Sequence, residues 1–446
     1  MLKKTSTTLP PSLHQKLLAL SDTPPAEWDT SGVGARPNLH GILRYPAMMV
    51  PCMQGDIIDA ILVSTGGAHH IIDPFVGSGT TLTESLMRGI NFTGIDINPL
   101  AALVCEAKLA IDRGADFESA ANSILSRLAD VDFNEITFDF DSRAKWFDDE
   151  VAKRFSTLRR LISDEPDQNS RKILWVVFAE TVRLCSNSRT STYKLHKRAA
   201  GDEVHSKRVI TVFTDNLKDT VSRVCAYRIS LKVRRTRQPD ADIICGDIRN
   251  VKLNELVTDN LIMVTSPPYG DNVTTITYGQ FSYLALQWIP LGDLPLGVNP
   301  SLFSNTHSID SASLGGSKKD ADNKREVACL VSPTFASFVQ NAFSQGKLKK
   351  IDKVATFIYD YFDAASQVQS LHRSVGTSAH WVMTTGNRTA AGIVVPFDII
   401  TREIVEFLGG REIISVHRKL PSKRMPSRNS LGSLINTETT LIAEFR

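Results

Sequence analysis

Between His70 and Asp96 the chain reads as a strand, a glycine turn, a helix and a second strand, a succession that few folds accept. His70-Ile71-Ile72-Asp73 is an apolar strand, and Pro74-Phe75-Val76-Gly77-Ser78-Gly79 is a turn. Thr80 to Arg88 has Leu82 and Leu86 at i and i+4 and Gly89 as its stop, which is helical spacing with a C-terminal signal. Phe92-Thr93-Gly94-Ile95-Asp96 returns to strand. Glycine is needed where backbone approaches a ligand closely. An acid about 20 residues past such a loop stands where a carboxylate meets ribose hydroxyls, which marks Asp96.

A dinucleotide does not suit this loop. After Gly77 and Gly79 the third glycine of the dinucleotide fingerprint is replaced by Leu82, and no Gly-Lys-Ser/Thr follows to bind a triphosphate. An adenosyl ligand without a pyrophosphate fits better. Asp247, at the end of the run Ile243-Ile244-Cys245-Gly246, is a further acid able to accept from an adenine amine at a strand end. Each acid taken alone also fits an ordinary loop or cap.

A second loop follows the apolar run Leu261-Ile262-Met263-Val264 and reads Thr265-Ser266-Pro267-Pro268-Tyr269-Gly270. The two prolines fix their own φ, donate no hydrogen bond and bias Ser266 toward extended backbone, so the loop is a stiff rim with outward carbonyls. A rigid carbonyl, a hydroxyl and a flat ring together suit a planar group with an exocyclic amine, such as a flipped nucleobase. The plain alternative is a strand-ending turn.

The two loops together resemble the amino-methyltransferases that use S-adenosylmethionine to methylate exocyclic amines of DNA bases. Asp73-Pro74-Phe75-Val76-Gly77-Ser78-Gly79-Thr80-Thr81 resembles that family's methyl-donor loop. Ser266-Pro267-Pro268-Tyr269 resembles its catalytic tetrapeptide, in which serine at the first position points to the cytosine-N4 branch. His40-Gly41-Ile42-Leu43-Arg44-Tyr45-Pro46-Ala47 resembles the segment covering the methionine end of the cofactor, although Met48-Met49 replaces the usual Lys-Phe. Lys423-Arg424-Met425-Pro426-Ser427-Arg428-Asn429, followed by Glu438, resembles the end of the same subgroup. The resemblance implies that Tyr45, Pro46, Asp73, Phe75, Gly77, Gly79, Thr80, Asp96 and Asp247 hold the cofactor. Ser266 Oγ and the Pro267 carbonyl would accept the amine hydrogens, Pro268 would stiffen the rim, and Tyr269 would stack on the base.

That chemistry agrees with the residue types. A cytosine N4 lone pair is delocalised into the ring, so the site must favour the pyramidal amine, and acceptors for both hydrogens do so. No thiolate is required. Carbon-5 methylation would need a Pro-Cys in such a loop; Cys52 alone follows a proline, and it lies ahead of the donor loop, where it reads as a core or near-core residue. Transfer is direct displacement, with its rate coming from positioning and preorganised dipoles.

Composition frames this reading without deciding it. The 446 residues are 42% hydrophobic and 22% charged, enough for one large or two moderate domains, and the net charge of +3 is too small to argue for nucleic acid. Six cysteines without metal-type spacing or disulfide density fit a reducing compartment, and no metal is expected. No signal peptide or run of membrane-spanning length is evident, so a soluble cytoplasmic protein is expected, associated with the nucleoid through DNA. Residues 1 to 38 read as a loose arm with no assigned chemistry. The catalytic domain and its sheet are expected to begin near His40, and its cofactor-binding half ends near residue 114.

Residues 115 to 240 read as a largely helical insertion, with Trp146 and Trp175 as core anchors. Its later half carries Arg189, Lys194, Lys197, Arg198, Lys207 and Arg208, then Arg228, Lys232, Arg234, Arg235 and Arg237. Such a cluster suits phosphates, with Ser186, Asn187, Ser188, Thr190 and Tyr193 as further contacts; the alternative is a solvated basic face. From 241 the base-binding half runs to the end, interrupted at about 290 to 330 by a Gly, Ser, Asn and Pro-rich surface loop, a candidate for target recognition. Phe357, Ile358, Tyr361 and Phe362 form a core helical stripe, Trp381 to Thr384 a late strand, and 392 to 420 a helix and closing strands. His380 and His417 read as structural.

The expected fold is α/β, a Rossmann-like class I methyltransferase with a mainly parallel, doubly wound sheet and ligands at the C-terminal strand ends. The expected activity is methyl transfer from S-adenosylmethionine to cytosine N4 in double-stranded DNA, in restriction-modification or defence, with a restriction nuclease as a possible cognate partner. Adenine-N6 methylation uses the same apparatus. Guanine-N2 methylation of RNA or tRNA also uses a Pro-Pro-Tyr loop, with an appended RNA module that is not evident here. The non-enzymatic alternative is a DNA-binding subunit with a methylase core, against which stand the intact Gly77, Gly79, Asp96 and Ser266.

Overall fold

The apolar run before the catalytic loop becomes a central strand with all six residues buried, as a strand covered on both faces requires. A computed structural model describes residues 11–25, 28, 36–253, 260–272, 275–376, 378–419 and 437–445. The segment 423–429 that resembles a family terminus lies outside the described residues. The strands are β1 (His69–Asp73), β2 (Asn91–Asp96), β3 (Ala241–Cys245), β4 (Asn260–Thr265), β5 (Ser378–Gly386), β6 (Arg388–Ala390), β7 (Ile393–Val395), β8 (Arg411–Lys419) and β9 (Thr437–Phe445). Seven of them form one sheet in the order β3-β2-β1-β4-β5-β9-β8, and β6 pairs with β7 in a separate hairpin.

From β3 to β5 all pairings are parallel, while β9 runs antiparallel between β5 and β8. The chain leaves β1 in one direction to β2 and β3, and in the other to β4 and β5, so the order reverses between β1 and β4. That reversal opens a crevice at the C-terminal strand ends, where both loops emerge. Alternation in the strands feeds two cores. Ile72, Leu261 and Met263 face the helices Ala321–Val331, Pro333–Ser344, Asp352–Val375 and Phe397–Phe407, while Ile71, Ile262 and Val264 face the helix Pro51–Ser64. The expected aromatic stripe is in the first core, with Phe357 stacked on Tyr361 at 3° between ring planes.

The insertion is helical, as expected, through Phe117–Ala129, Asp149–Ser163, Gln168–Cys185 and Lys207–Arg234. These helices share one hydrophobic core with Pro99–Asp112, which follows β2, and with Tyr278–Trp288, which follows the catalytic loop. Trp288 lies at its centre, edge-on to Phe140 and Phe147 and tilted against Phe155; Trp146 and Trp175 are buried in the same core.

Three expectations are corrected. The first strand begins at His69, because His40 lies in the 3-10 turn Asn38–Gly41 and the helix Pro51–Ser64 intervenes. The N-terminal arm is not loose throughout: Leu13–Asp22 is a helix with a reciprocal cap between Ser12 and Gln15, and Leu17 is buried. Trp28 is buried too and donates through Nε1 to Asp56 at 2.7 Å. The stretch 290–330 is not one irregular surface loop, because it folds into short turns and helices, among them Ser308–Ala312 and Ala321–Val331, that bury Ile309, Leu314 and Ala328. Polar residues cap these short elements; Asn299, for example, accepts from the Ser301 amide, which is why composition alone suggests a loop.

Candidate active site

At the sheet reversal an open cleft of about 850 Å³, its solvent-open mouth included, is walled by the methyl-donor-like loop on one side and the Ser-Pro-Pro-Tyr loop on the other. Of the expected ligand-binding residues, Tyr45, Pro46, Phe75, Gly77, Thr80, Asp96 and Asp247 line it, together with Ser266 and Pro268. Asp73, Gly79, Pro267 and Tyr269 are not among the residues that line it. Phe75, Ile97 and Ile248 supply apolar walls and Asp96 and Asp247 carboxylate acceptors, a lining that suits a flat ring bearing a hydroxylated sugar.

The glycine loop is built around a left-handed residue. Gly79, at φ +73°, starts the helix Thr80–Met87, and a side chain there would meet Cys105 Sγ at 2.9 Å. Its carbonyl accepts from the buried Lys108 ammonium at 3.0 Å. Asp96 holds the loop's other side: one carboxylate oxygen accepts from the Gly77 amide and the other from the Asn98 amide, both at 2.8 Å. Burial pushes the Asp96 carboxyl up to about 6, against the pull of those two amides. Asn98 then caps the helix Pro99–Asp112 through the Leu100 amide, and its Nδ2 donates to Tyr45 Oη and to Ser282 Oγ. Tyr45 stacks on Tyr278 with centroids 5.6 Å apart, so the Tyr45–Pro46 segment closes one end of the cleft.

Across the cleft, Ser266 leaves β4 with its hydroxyl 3.5 Å from Tyr269 Oη, and Tyr269 Oη donates to Glu438 at the start of β9 at 3.0 Å. Arg418 pairs with the same glutamate. Beneath both loops, Thr265 Oγ1 donates to Asp73 Oδ1 at 2.6 Å, and the Phe75 amide donates to that oxygen as well. Complete burial, opposed by the Thr265 hydroxyl and the Phe75 amide, raises the Asp73 carboxyl to about 7. Asp73 therefore ties the ends of β1 and β4 together rather than facing the cleft. Asp247 is engaged with Arg249, whose Nε and Nη2 reach both of its oxygens, and Arg249 also pairs with Asp360.

Several lining residues escaped the sequence reading. Arg249, Asn272, Tyr278, Ile309, Ser313 and Leu314 come from segments between or after the motifs. A usable signal existed for one of them: Asn272 lies six positions past Ser266 in the same loop.

The basic cluster separates into two groups. Ser188 pairs with Lys197, and the Arg189 amide donates to the His196 carbonyl, giving a small hairpin on which Arg189, Lys194 and Lys197 are exposed and Arg198 is partly buried. Arg228, Arg235 and Arg237 instead bind the Ala115 carbonyl, Asp112 and Asn91, and so anchor the end of the long helix. Ser186, Asn187 and Ser188 are also not surface contacts. All three are buried, and Asn187 joins Asp148 to the Val204 amide.

Among the described residues, no group of three His, Cys, Asp or Glu is placed to hold a metal ion, and no helix is long and apolar enough to cross a membrane. The chain matches no protein-family model. It is 30% identical over 414 residues to the Type II methyltransferase M.MvaI of Kocuria varians, covering 90% of this chain and 88% of that protein. It is 29% identical over 153 residues to the Type II methyltransferase M.MjaII of Methanocaldococcus jannaschii, covering 33% of this chain and 28% of that one. A shorter match, 37% over 71 residues, is to the Type II methyltransferase M.BsoBI of Geobacillus stearothermophilus, covering 16% of this chain and 14% of that one.

Proposed function

The chain belongs to the Type II DNA methyltransferases, and from that premise we propose that it moves methyl from S-adenosylmethionine to the N4 amine of cytosine in double-stranded DNA, as the modifying member of a restriction-modification pair. The observation that carries the reading is the meeting of Ser266 and Pro268 with Asp96 and the glycine loop on one cleft. S-adenosylmethionine, when bound, supplies a methyl group on a sulfonium that leaves as a neutral thioether.

The chain's own residues do the rest by positioning. Asp96 accepts from the ribose hydroxyls, Asp247 takes the adenine amine, and Phe75 packs on the ring. Ser266 Oγ and the Pro267 carbonyl accept the two hydrogens of the extruded base's amine, which turns the nitrogen lone pair toward the methyl carbon. With the cofactor bound, the C–N bond would form as the C–S bond breaks, and one amine proton would be lost to water. Tyr269 offers a ring face to the base while Glu438 holds its hydroxyl.

The test supplies labelled S-adenosylmethionine with varied DNA and RNA, digests the product and identifies the labelled nucleoside. N4-methylcytosine is the expected product; N6-methyladenine or labelled RNA would overturn the reading.

The carboxyl level of Asp96 adds a pH prediction. A protonated carboxyl has fewer acceptor sites for ribose, so cofactor affinity is steady above pH about 6 and falls below it, by about tenfold per unit at the limit of one linked proton. Calorimetry across that range checks it; affinity rising on acidification would remove Asp96 from the ribose site.

The exposed hairpin carries the phosphate contacts in this reading. Each such contact contributes about −0.9 to the slope of log K against log salt, so Arg189→Ala/Lys194→Ala makes that slope shallower by about 1.8 and weakens all DNA sequences alike. Fluorescence anisotropy at several salt concentrations measures it, and an unchanged slope would take the hairpin off the DNA.

A further inference from the structure

The methionine end of the cleft presents a polar atom that the reaction as described leaves unused. Asn272 lines the cleft, is 3% exposed, and its Oδ1 has no hydrogen-bond partner among the described residues. A buried carbonyl left this way is unfavourable, and a bound donor would relieve it. Its neighbour fixes which end of the amide faces the ligand. The side chain lies beside the carboxyl of Asp310, which burial raises to about 6 against hydrogen bonds that include one from the Asn272 amide group. A carboxylate attracts N–H and repels C=O, so Nδ2 is held toward Asp310 and Oδ1 is left as a fixed acceptor.

Asp310 sharpens the choice of donor. It is fully buried, accepts from the Gly279 amide at 3.0 Å, makes no ion pair among the described residues and has an unpartnered Oδ2. The nearby Arg249 is already committed to Asp247 and Asp360. A buried carboxylate that makes no ion pair, with the His307 imidazole as its basic neighbour, favours a cationic ligand. Gly279, which Asp310 binds, follows Tyr278, the ring stacked on Tyr45. Asn272 is thus fastened to the end of the cleft that the Tyr45–Pro46 segment closes, where Met48 and Met49 offer no charge.

The two hydrogens of a target amine already have Ser266 Oγ and the Pro267 carbonyl as acceptors. A third fixed acceptor beside a carboxylate that makes no ion pair matches a different amine, one that carries a charge. We propose that Asn272 Oδ1, oriented by Asp310, accepts a hydrogen bond from the α-ammonium group of the cofactor's amino-acid moiety. Asn272 is then a binding residue and Asp310 its positioning residue, a proposal that rests on S-adenosylmethionine being the ligand of the cleft.

The experiment measures binding by calorimetry with two probes, S-adenosylhomocysteine, which carries the ammonium, and 5′-methylthioadenosine, which lacks the amino-acid moiety. Asn272→Ala is expected to weaken S-adenosylhomocysteine about tenfold or more, on the scale of a hydrogen bond to a charged group, and to leave 5′-methylthioadenosine unchanged. Asp310→Asn should shift the same probe in the same direction and leave 5′-methylthioadenosine unchanged. Unchanged S-adenosylhomocysteine binding in Asn272→Ala would overturn the proposal, and so would an equal loss for both probes, which would mean a damaged pocket. If the unaltered protein bound S-adenosylhomocysteine not at all, the cofactor reading itself would fall, and this proposal with it.

Discussion

Replacing Ser266 with alanine is expected to slow methyl transfer by about 10²–10³-fold, the scale on which a single preorganised polar group acts on developing charge. Affinity for S-adenosylmethionine should change little, because among the described residues Ser266 Oγ makes one long contact, 3.5 Å to Tyr269 Oη, and none that holds the glycine loop. The hydroxyl is therefore available to an amine hydrogen, and removing it leaves only the Pro267 carbonyl to turn the lone pair. Single-turnover rates with saturating cofactor and DNA separate this loss from binding. A variant that reacts at the original rate would show that the amine is held by other groups.

Asp96→Ala is expected to act on the opposite side of the ledger of rate and affinity. Its carboxylate does two things at once: it lines the cleft, and it accepts from the Gly77 and Asn98 amides. Truncation removes the ribose acceptor and strands two amides that shape the glycine loop. Stranded buried donors cost about 1–3 kcal/mol each, so a loss of roughly 3 kcal/mol, or about 100-fold in cofactor affinity, is expected. The rate at saturating cofactor should fall much less. Asp96→Asn is the gentler comparison, since its one carbonyl oxygen still accepts. A loss in rate with affinity intact would move Asp96 from the cofactor to the chemistry.

What the sequence disclosed follows from how local each signal is. β1, β2 and β4, the helix from Thr80 and both loops are set by short patterns of apolar residues, glycine and proline, and they stand where the patterns placed them. The position of β9 between β5 and β8 depends on pairing across the sheet, which no window of the chain contains. The fate of each arginine was equally hidden. Arg189 and Arg235 look alike in a basic run, yet only Arg235 finds an aspartate, Asp112, delivered by a helix more than a hundred positions away. Asn272 and Tyr278 in the cleft, and Asp310 behind them, illustrate the same point. Their types are ordinary, and their meaning comes from being brought to one wall.

The hydrogen bond from Thr265 to Asp73 fixes the spacing between the two halves of the cleft from below, out of reach of solvent. Among the described residues, no hydrogen bond of the hairpin around Arg189 reaches it. The exposed side chains Arg189, Lys194 and Lys197 thus vary apart from the buried tie, whereas the Leu195 amide and the Tyr193 ring bind Gln280 and Phe281 on the helix beside the cleft. A lineage is free to alter the surface it offers to a polymer without disturbing the distance over which its reaction is run, and an engineer who exchanges that surface has this pair as the part to leave alone.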